Sequence, residues 1–172
     1  MEIETNRLVM REMTEKDLPA LAEILQDKDV MYAYEHAFSD SEVQEWFDRQ
    51  TQGYREYDHK FGLWAVDLKE TGQMIGQCGL TLQEYKGEKV LEIGYLLQKA
   101  FWHRGYATEA AEACKQYAFE ILNRDEVCSI IRDTNIASQN VARRIGMTKK
   151  GGFVKHYYNM DMPHWLFSVS KA

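Results

Sequence analysis

From Leu8 to Arg11 apolar and polar residues alternate, the period of a half-buried strand. Thr14 then opens a helix, with Asp17 placed where a carboxylate answers the cap, and Leu18, Leu21, Ala22 and Leu25 form its apolar stripe. Ser39 and Glu42 give a second helix start, followed by Val43, Trp46, Phe47 and Tyr54 on one face. Three strands come next, over residues 61–68, 74–82 and 90–97, with Lys86-Gly87 as the turn of the last hairpin. Gly94 inside an apolar strand predicts a bulge or a close approach of backbone to another group. After Gly105 the period changes: Ala107, Ala110, Ala111, Cys114, Ala118 and Ile121 recur at helical spacing, a stripe of mostly small side chains that lets a helix lie close to a sheet. A short strand over 127–131, a short helix over 138–145 stopped by Gly146, and a closing strand over 165–169 complete the pattern. The order strand, two helices, three strands, helix, strand, helix and one or two strands predicts an α/β (α+β) domain with a mixed sheet.

The chain has 172 residues, 45% of them hydrophobic, enough for one substantial core, and only Pro19 and Pro163 interrupt it, so 1–172 reads as a single domain. The net charge of -6 argues against general binding to nucleic acid phosphates and suits a cationic substrate. No apolar run approaches the roughly 20 residues of a membrane span, and the acidic opening Met1-Glu2-Ile3-Glu4 does not read as a signal peptide. Cys78, Cys114 and Cys128 are odd in number, lie in apolar-patterned segments and share no metal-ligand spacing. Reduced buried thiols, no metal and a cytoplasmic location are expected.

The strongest local signal runs from Leu96 to Ala110, where a strand ends, a basic loop follows and Gly105 opens the small-residue helix. A helix start exposes unpaired N–H groups at the positive end of the macrodipole, and glycine lets a large anion approach the backbone. Arg104 adds a charge-assisted contact. The spacing of a P-loop and the three-glycine dinucleotide fingerprint are both absent. A strand–glycine–helix junction is, taken alone, common architecture.

Trp102-His103-Arg104-Gly105-Tyr106-Ala107-Thr108-Glu109-Ala110 resembles the coenzyme A pyrophosphate loop of the GNAT superfamily of N-acetyltransferases, in the branch of the RimJ/RimL-like enzymes that acetylate N-termini of ribosomal proteins. Gly105 and Ala107 fit the last two fixed places of that loop. Trp102 stands where Gln or Arg is usual, and His103 where glycine is frequent. Thr5-Asn6-Arg7-Leu8 with Leu18 resembles the branch's opening strand and helix, Glu92-Ile93-Gly94-Tyr95 its fourth strand, and Asn135, Ser138 and Ile145-Gly146-Met147 its later pattern. The resemblance covers nearly the whole chain in order. It implies a mostly antiparallel central sheet flanked by helices, splayed between its fourth and fifth strands.

The resemblance further implies acetyl-CoA as cosubstrate and direct transfer of its acetyl group to a primary amine, either a protein N-terminus or a small molecule. Backbone groups of Leu96 and Leu97 would pair with pantetheine, amides from His103 through Arg104, Gly105, Tyr106 and Ala107 to Thr108 would hold the pyrophosphate beside Trp102, Asn135 would bond the pantetheine arm, and Arg143 would meet an adenosine phosphate. Free lysine and α-amino groups have pKa values near about 10 and 8, so a base is needed to neutralise the amine. Glu92 is the first candidate, with Ser138 as the group that protonates the thiolate or, in a plainer role, caps a helix. Many relatives carry a tyrosine acid where this chain has Ala142, and some a glutamate base near Tyr157 and Tyr158; His156 and His164 are substitutes. The vacancy at Ala142 motivates an alternative, an acyl-CoA-binding module without catalysis. Residues 31–38 and 157–164, both aromatic-rich, are expected to meet the acceptor, and a homodimer is the commonest assembly for such a chain.

Overall fold

A computed structural model describes residues 2–157 and 159–172, without the side chain of Tyr157. Eight strands form one sheet: β1 (Glu2–Glu4), β2 (Leu8–Arg11), β3 (Leu63–Leu68), β4 (Met74–Tyr85), β5 (Glu88–Leu97), β6 (Glu126–Arg132), β7 (Thr148–Tyr157) and β8 (Met160–Ser170). Their spatial order is β1-β2-β3-β4-β5-β6-β8-β7, and every neighbour pair is antiparallel except β5 and β6. Four α-helices complete the fold: α1 (Leu18–Leu25), α2 (Asp40–Glu56), α3 (Tyr106–Glu120) and α4 (Ile136–Arg144). The parallel pair follows from connectivity, since α3 carries the chain from the end of β5 back to the start of β6.

The sheet is covered on both faces. On one, Leu21, Ile24 and Leu25 of α1 and Val43 and Phe47 of α2 pack with Ala65 and Met74. On the other, Ala110, Ala111, Cys114 and Ala118, all fully buried, let α3 sit close against Trp64, Ile93 and Leu97. Burying a side chain such as Trp64 or Phe167 completely contributes about 2–3 kcal/mol. The three cysteines are buried and unpaired, with the Sγ atoms of Cys78 and Cys114 3.6 Å apart. No helix among the described residues is long and apolar enough to cross a membrane.

Several boundaries differ from the sequence pattern. β1 adds an edge strand whose alternation is carried by a single isoleucine between glutamates, too short a signal to read. The closing stretch is a hairpin of two long strands, β7 and β8, held by pairing that hydropathy does not report. Ile121 falls off the buried stripe of α3 and is 63% exposed, because the helix has ended beneath it. Gly94 is not a bulge: β4 and β5 pair in continuous register from Tyr85↔Glu88 to Gly76↔Leu97. The close backbone approach lies across from it at Gly79, where a Cβ would stand 1.9 Å from the carbonyl oxygen of Gly62.

Candidate active site

Between β5 and β6 the sheet opens. The two strands share one pairing, Glu92↔Cys128, and then diverge. Side chains take over where the ladder stops: the Glu92 carboxylate accepts the Ile130 N–H at 2.7 Å, and the Ser129 hydroxyl donates to the Ile93 carbonyl at 2.8 Å. A cleft of about 810 Å³ opens onto this splay, lined among others by Glu92, Tyr95, Ser138, His164, Tyr34 and Trp46. Glu92 is half-buried, open on one side to the cleft and surrounded elsewhere by protein. Desolvation raises its pKa to about 7, against the opposing effects of the Ile130 N–H and the Lys155 charge. A carboxylate half-ionised near neutrality is suited to taking a proton from an amine.

The N–H of Gln98 donates to the carbonyl of Ile75, and antiparallel ladders alternate, so the backbone of Leu96 turns to Gln77 while Tyr95 and Leu97 face the splay. The expectation that Leu96 offers its backbone to a cleft ligand is therefore corrected: Tyr95 takes that place. Leu97 contributes only its N–H, because its carbonyl accepts the Trp102 indole N–H at 3.0 Å. Trp102 thus fastens the loop to the strand end.

The loop leads into α3 with two left-handed residues, His103 at φ 62° and Gly105 at φ 80°. Glycine adopts this conformation freely and histidine does so under strain, which accounts physically for glycine's frequency at the place of His103. The first amides of α3, from Tyr106 onward, have no partner within the helix. Glu109, in the first turn, holds the loop from behind. It accepts the Thr5 hydroxyl at 2.6 Å and the Arg7 N–H at 3.0 Å, and pairs with Arg7 Nε at 2.9 Å. Arg7 in turn donates to the Arg104 carbonyl at 2.9 Å and lies over the Tyr106 ring at 4.3 Å. Thr5 and Arg7 are therefore parts of the cradle, and the cleft and cradle together have the shape and polarity to take a pantetheine arm and a pyrophosphate.

Asn135, not Ser138, caps α4, and its Oδ1 accepts both the Ser138 N–H at 3.2 Å and the Tyr32 hydroxyl at 2.7 Å. The cap reading of Ser138 is thereby corrected, since it stands in the first turn. Its side chain lines the cleft, and its carbonyl accepts the Tyr95 hydroxyl at 2.8 Å. Burial, outweighing that hydrogen bond, raises the Tyr95 pKa well beyond that of a free phenol, so it remains protonated. Arg143 is not brought to the cleft; it is exposed on the last turn of α4, over the Phe167 ring at 5.3 Å. Ala142 is fully buried against the core.

The two histidines separate. His156 is exposed and paired with Asp161 at 2.7 Å, whereas His164 is buried at the cleft wall with Nδ1 bonded to the Met162 carbonyl at 2.8 Å. Burial lowers the His164 pKa, which keeps the ring neutral, with Nε2 as acceptor. Tyr158 and the side chain of Tyr157, at the place where some relatives carry a glutamate base, lie outside the described residues. On the far wall, Tyr34, His36 and Phe38 reach in from the α1–α2 loop, and the Trp46 indole donates to Gln77 at 3.1 Å. Tyr95, Arg132 and Lys155 also line the cleft, and sequence reasoning singled out none of them as a site residue, Tyr95 appearing only within the Glu92-Ile93-Gly94-Tyr95 motif.

Comparison with known proteins agrees with this architecture. The family described as "Acetyltransferase (GNAT) domain" matches residues 7–148. Two Bacillus subtilis proteins are similar: YkkB, 35% identical over 144 residues (83% of each chain), and the N-acetyltransferase YnaD, 32% identical over 156 residues (90% of this chain and 87% of that one). A GNAT acetyltransferase from Bacillus anthracis superposes with a TM-score of 0.83 at 25% identity, covering 99% of this chain and 98% of the other. The RimL ribosomal L7/L12 alpha-N-protein acetyltransferase, in complex with coenzyme A, shares the fold with a TM-score of 0.81 at 17% identity, covering 99% and 98%.

Proposed function

Since this chain belongs to the GNAT family of acetyltransferases and is an N-acetyltransferase, we propose that it moves an acetyl group directly from acetyl-CoA to a primary amine held in the cleft against Glu92. The family uses acetyl-CoA, which when bound supplies the activated acetyl group. The observation that carries the reading is the splay itself, with Glu92 at its closed end and free backbone groups along one wall. The N–H of Leu97 and both backbone groups of Tyr95 extend to the pantetheine as an added strand would. The amides of His103, Arg104, Gly105, Tyr106, Ala107 and Thr108 cradle the pyrophosphate, helped by the positive end of α3. The amide nitrogen of Asn135 remains available to the arm, its oxygen being engaged.

Glu92 accepts a proton from the ammonium, directly or through water, and leaves a neutral nucleophile. Its pKa of about 7 makes it ionised and basic enough at working pH. The amine then attacks the acetyl carbon and the C–S bond breaks; Ser138, on α4, hands a proton to the departing thiolate and regains one through water from the acylated nitrogen, while the Tyr95 hydroxyl fixes the turn that carries Ser138. A protein N-terminus and a small amine both satisfy this chemistry. The test is calorimetric titration with acetyl-CoA followed by thiol-release assays across ribosomal N-terminal peptides, polyamines and other amines. Saturable binding in the micromolar range, about -8 kcal/mol, with amine-dependent thiol release is expected. Binding without release for any amine would leave a module that merely holds the cosubstrate.

A further inference from the structure

Glu35, Glu42 and Glu56 line the cleft from the α1–α2 loop and α2, with Arg49 among them, whereas Arg132 and Lys155 line it from β6 and β7. Across β8, Arg132 pairs with His164, His164 with Phe153, and Met162 with Lys155. Strand alternation puts Arg132, His164, Phe153 and Lys155 on one face. The Phe153 and His164 rings stack at 5.6 Å, and Lys155 Nζ lies 5.8 Å from the Phe153 centroid, so the row runs cation, ring, ring, cation. Among the described residues neither cation has a carboxylate within salt-bridge distance. Arg132 Nη1 donates to the Tyr32 carbonyl at 3.3 Å, but its Nε is buried with no hydrogen-bond partner among the described residues. A desolvated guanidinium edge without an acceptor is costly, and the complement of that edge is a planar anion binding it through two N–H groups.

We propose that the acceptor is an amine that also carries a carboxylate, which sits on the face flanked by Arg132 and Lys155 while its amine faces Glu92. This rests on the acetyltransferase reading above and adds a substrate class to it. The neutral His164 stands next to Arg132 in that row and offers Nε2 to an N–H of the same molecule. A cationic amine alone would leave the Arg132 edge unanswered.

The experiment compares thiol release with 6-aminohexanoate and with its primary amide, for the natural protein and for Arg132→Met and Lys155→Met. Wild-type kcat/KM should favour the acid by about tenfold or more, as one charge-assisted pair warrants, and both variants should bring the acid-to-amide ratio toward one. Because Lys155 makes no hydrogen bond that the fold requires, Lys155→Met keeps the test open if Arg132→Met folds poorly. Equal use of acid and amide by the natural protein, or a ratio untouched by both substitutions, overturns the proposal and leaves amine acetylation standing. If no amine is acetylated although acetyl-CoA binds, catalysis is lost as a reading, and hexanoate alone decides the anion site. Saturable tryptophan-fluorescence change with hexanoate, weakened in both variants, supports it, and no response in the natural protein sinks it.

Discussion

Replacing Glu92 by glutamine should make the protein a poorer catalyst and a more stable fold at the same time. The glutamine Oε1 still accepts the Ile130 N–H, so the strap across the splay survives. What disappears is the charge. In the unfolded chain the carboxyl titrates near its ordinary value of 4.5, whereas the folded cleft holds it at about 7 by desolvation. Between those values the folded state keeps a proton that the unfolded state releases, so stability falls as pH rises from 4.5 to about 7 and is level above. That fall is worth roughly 3 kcal/mol. Glu92→Gln removes it, so at pH 8 the variant should melt about 6–12 °C higher than the natural protein, with no difference at pH 4.5. Its kcat/KM should drop by about 10²–10⁴ and lose the ascending limb near pH 7 that a free base imposes. Melting curves without acetyl-CoA at the two pH values and a pH–rate profile read both effects. A variant no more stable at pH 8, or one that keeps the pH limb, would refute the account of Glu92 as a desolvated base.

Two other perturbations probe the cradle. Gly105→Val forces a β-branched residue to φ 80° with its Cβ about 3.4 Å from Arg7 Nη2; acetyl-CoA affinity should fall by about tenfold or more, measured by titration, since strain in that region costs about 1–2 kcal/mol. Glu109→Ala leaves the Arg7 N–H, the Arg7 guanidinium and the Thr5 hydroxyl without their acceptor, and chemical denaturation should show a loss of about 2–3 kcal/mol. Glu109 is desolvated, but its bonds from Thr5 and Arg7 prevail and lower its pKa. Its contribution is therefore present above the unfolded carboxyl range and lost as pH falls through its lowered folded pKa, so the natural protein should lose more stability than Glu109→Ala on acidification.

Local signals made much of this molecule legible. Ser39 with Glu42 announces α2, and the structure contains both halves of that cap, the Glu42 N–H to Ser39 at 3.3 Å and the Ser39 N–H to Glu42 at 3.1 Å. Gly105 followed by small residues announces α3 and its exposed amides. What sequence could not carry depends on which strands become neighbours. Arg132 and Lys155 are 23 positions apart and share one face of the sheet only because β8 inserts between β6 and β7. Leu96 and Tyr95 are adjacent in sequence, and which one turns its backbone to the cleft is set by register against β4. Thr5 and Arg7 were read as the start of a strand, while their work is done at Glu109, 102 residues beyond Arg7.

A sheet divided at its middle behaves mechanically as two plates joined along a seam. Strands β1 to β5 form one plate and β6, β8 and β7 the other, joined among the described residues by a single backbone pairing, two side-chain hydrogen bonds and an edge-on contact of Tyr85 with Phe153. A molecule lodged in the seam as proposed would complete the missing ladder, so occupancy and rigidity would rise together. Saturation at about 100 times Kd adds about 2.7 kcal/mol to stability, and hydrogen exchange should slow most at Tyr95, Leu97 and the far half of β6. The protein's resistance to heat and proteolysis thereby becomes a gauge of the acetyl donor's concentration around it.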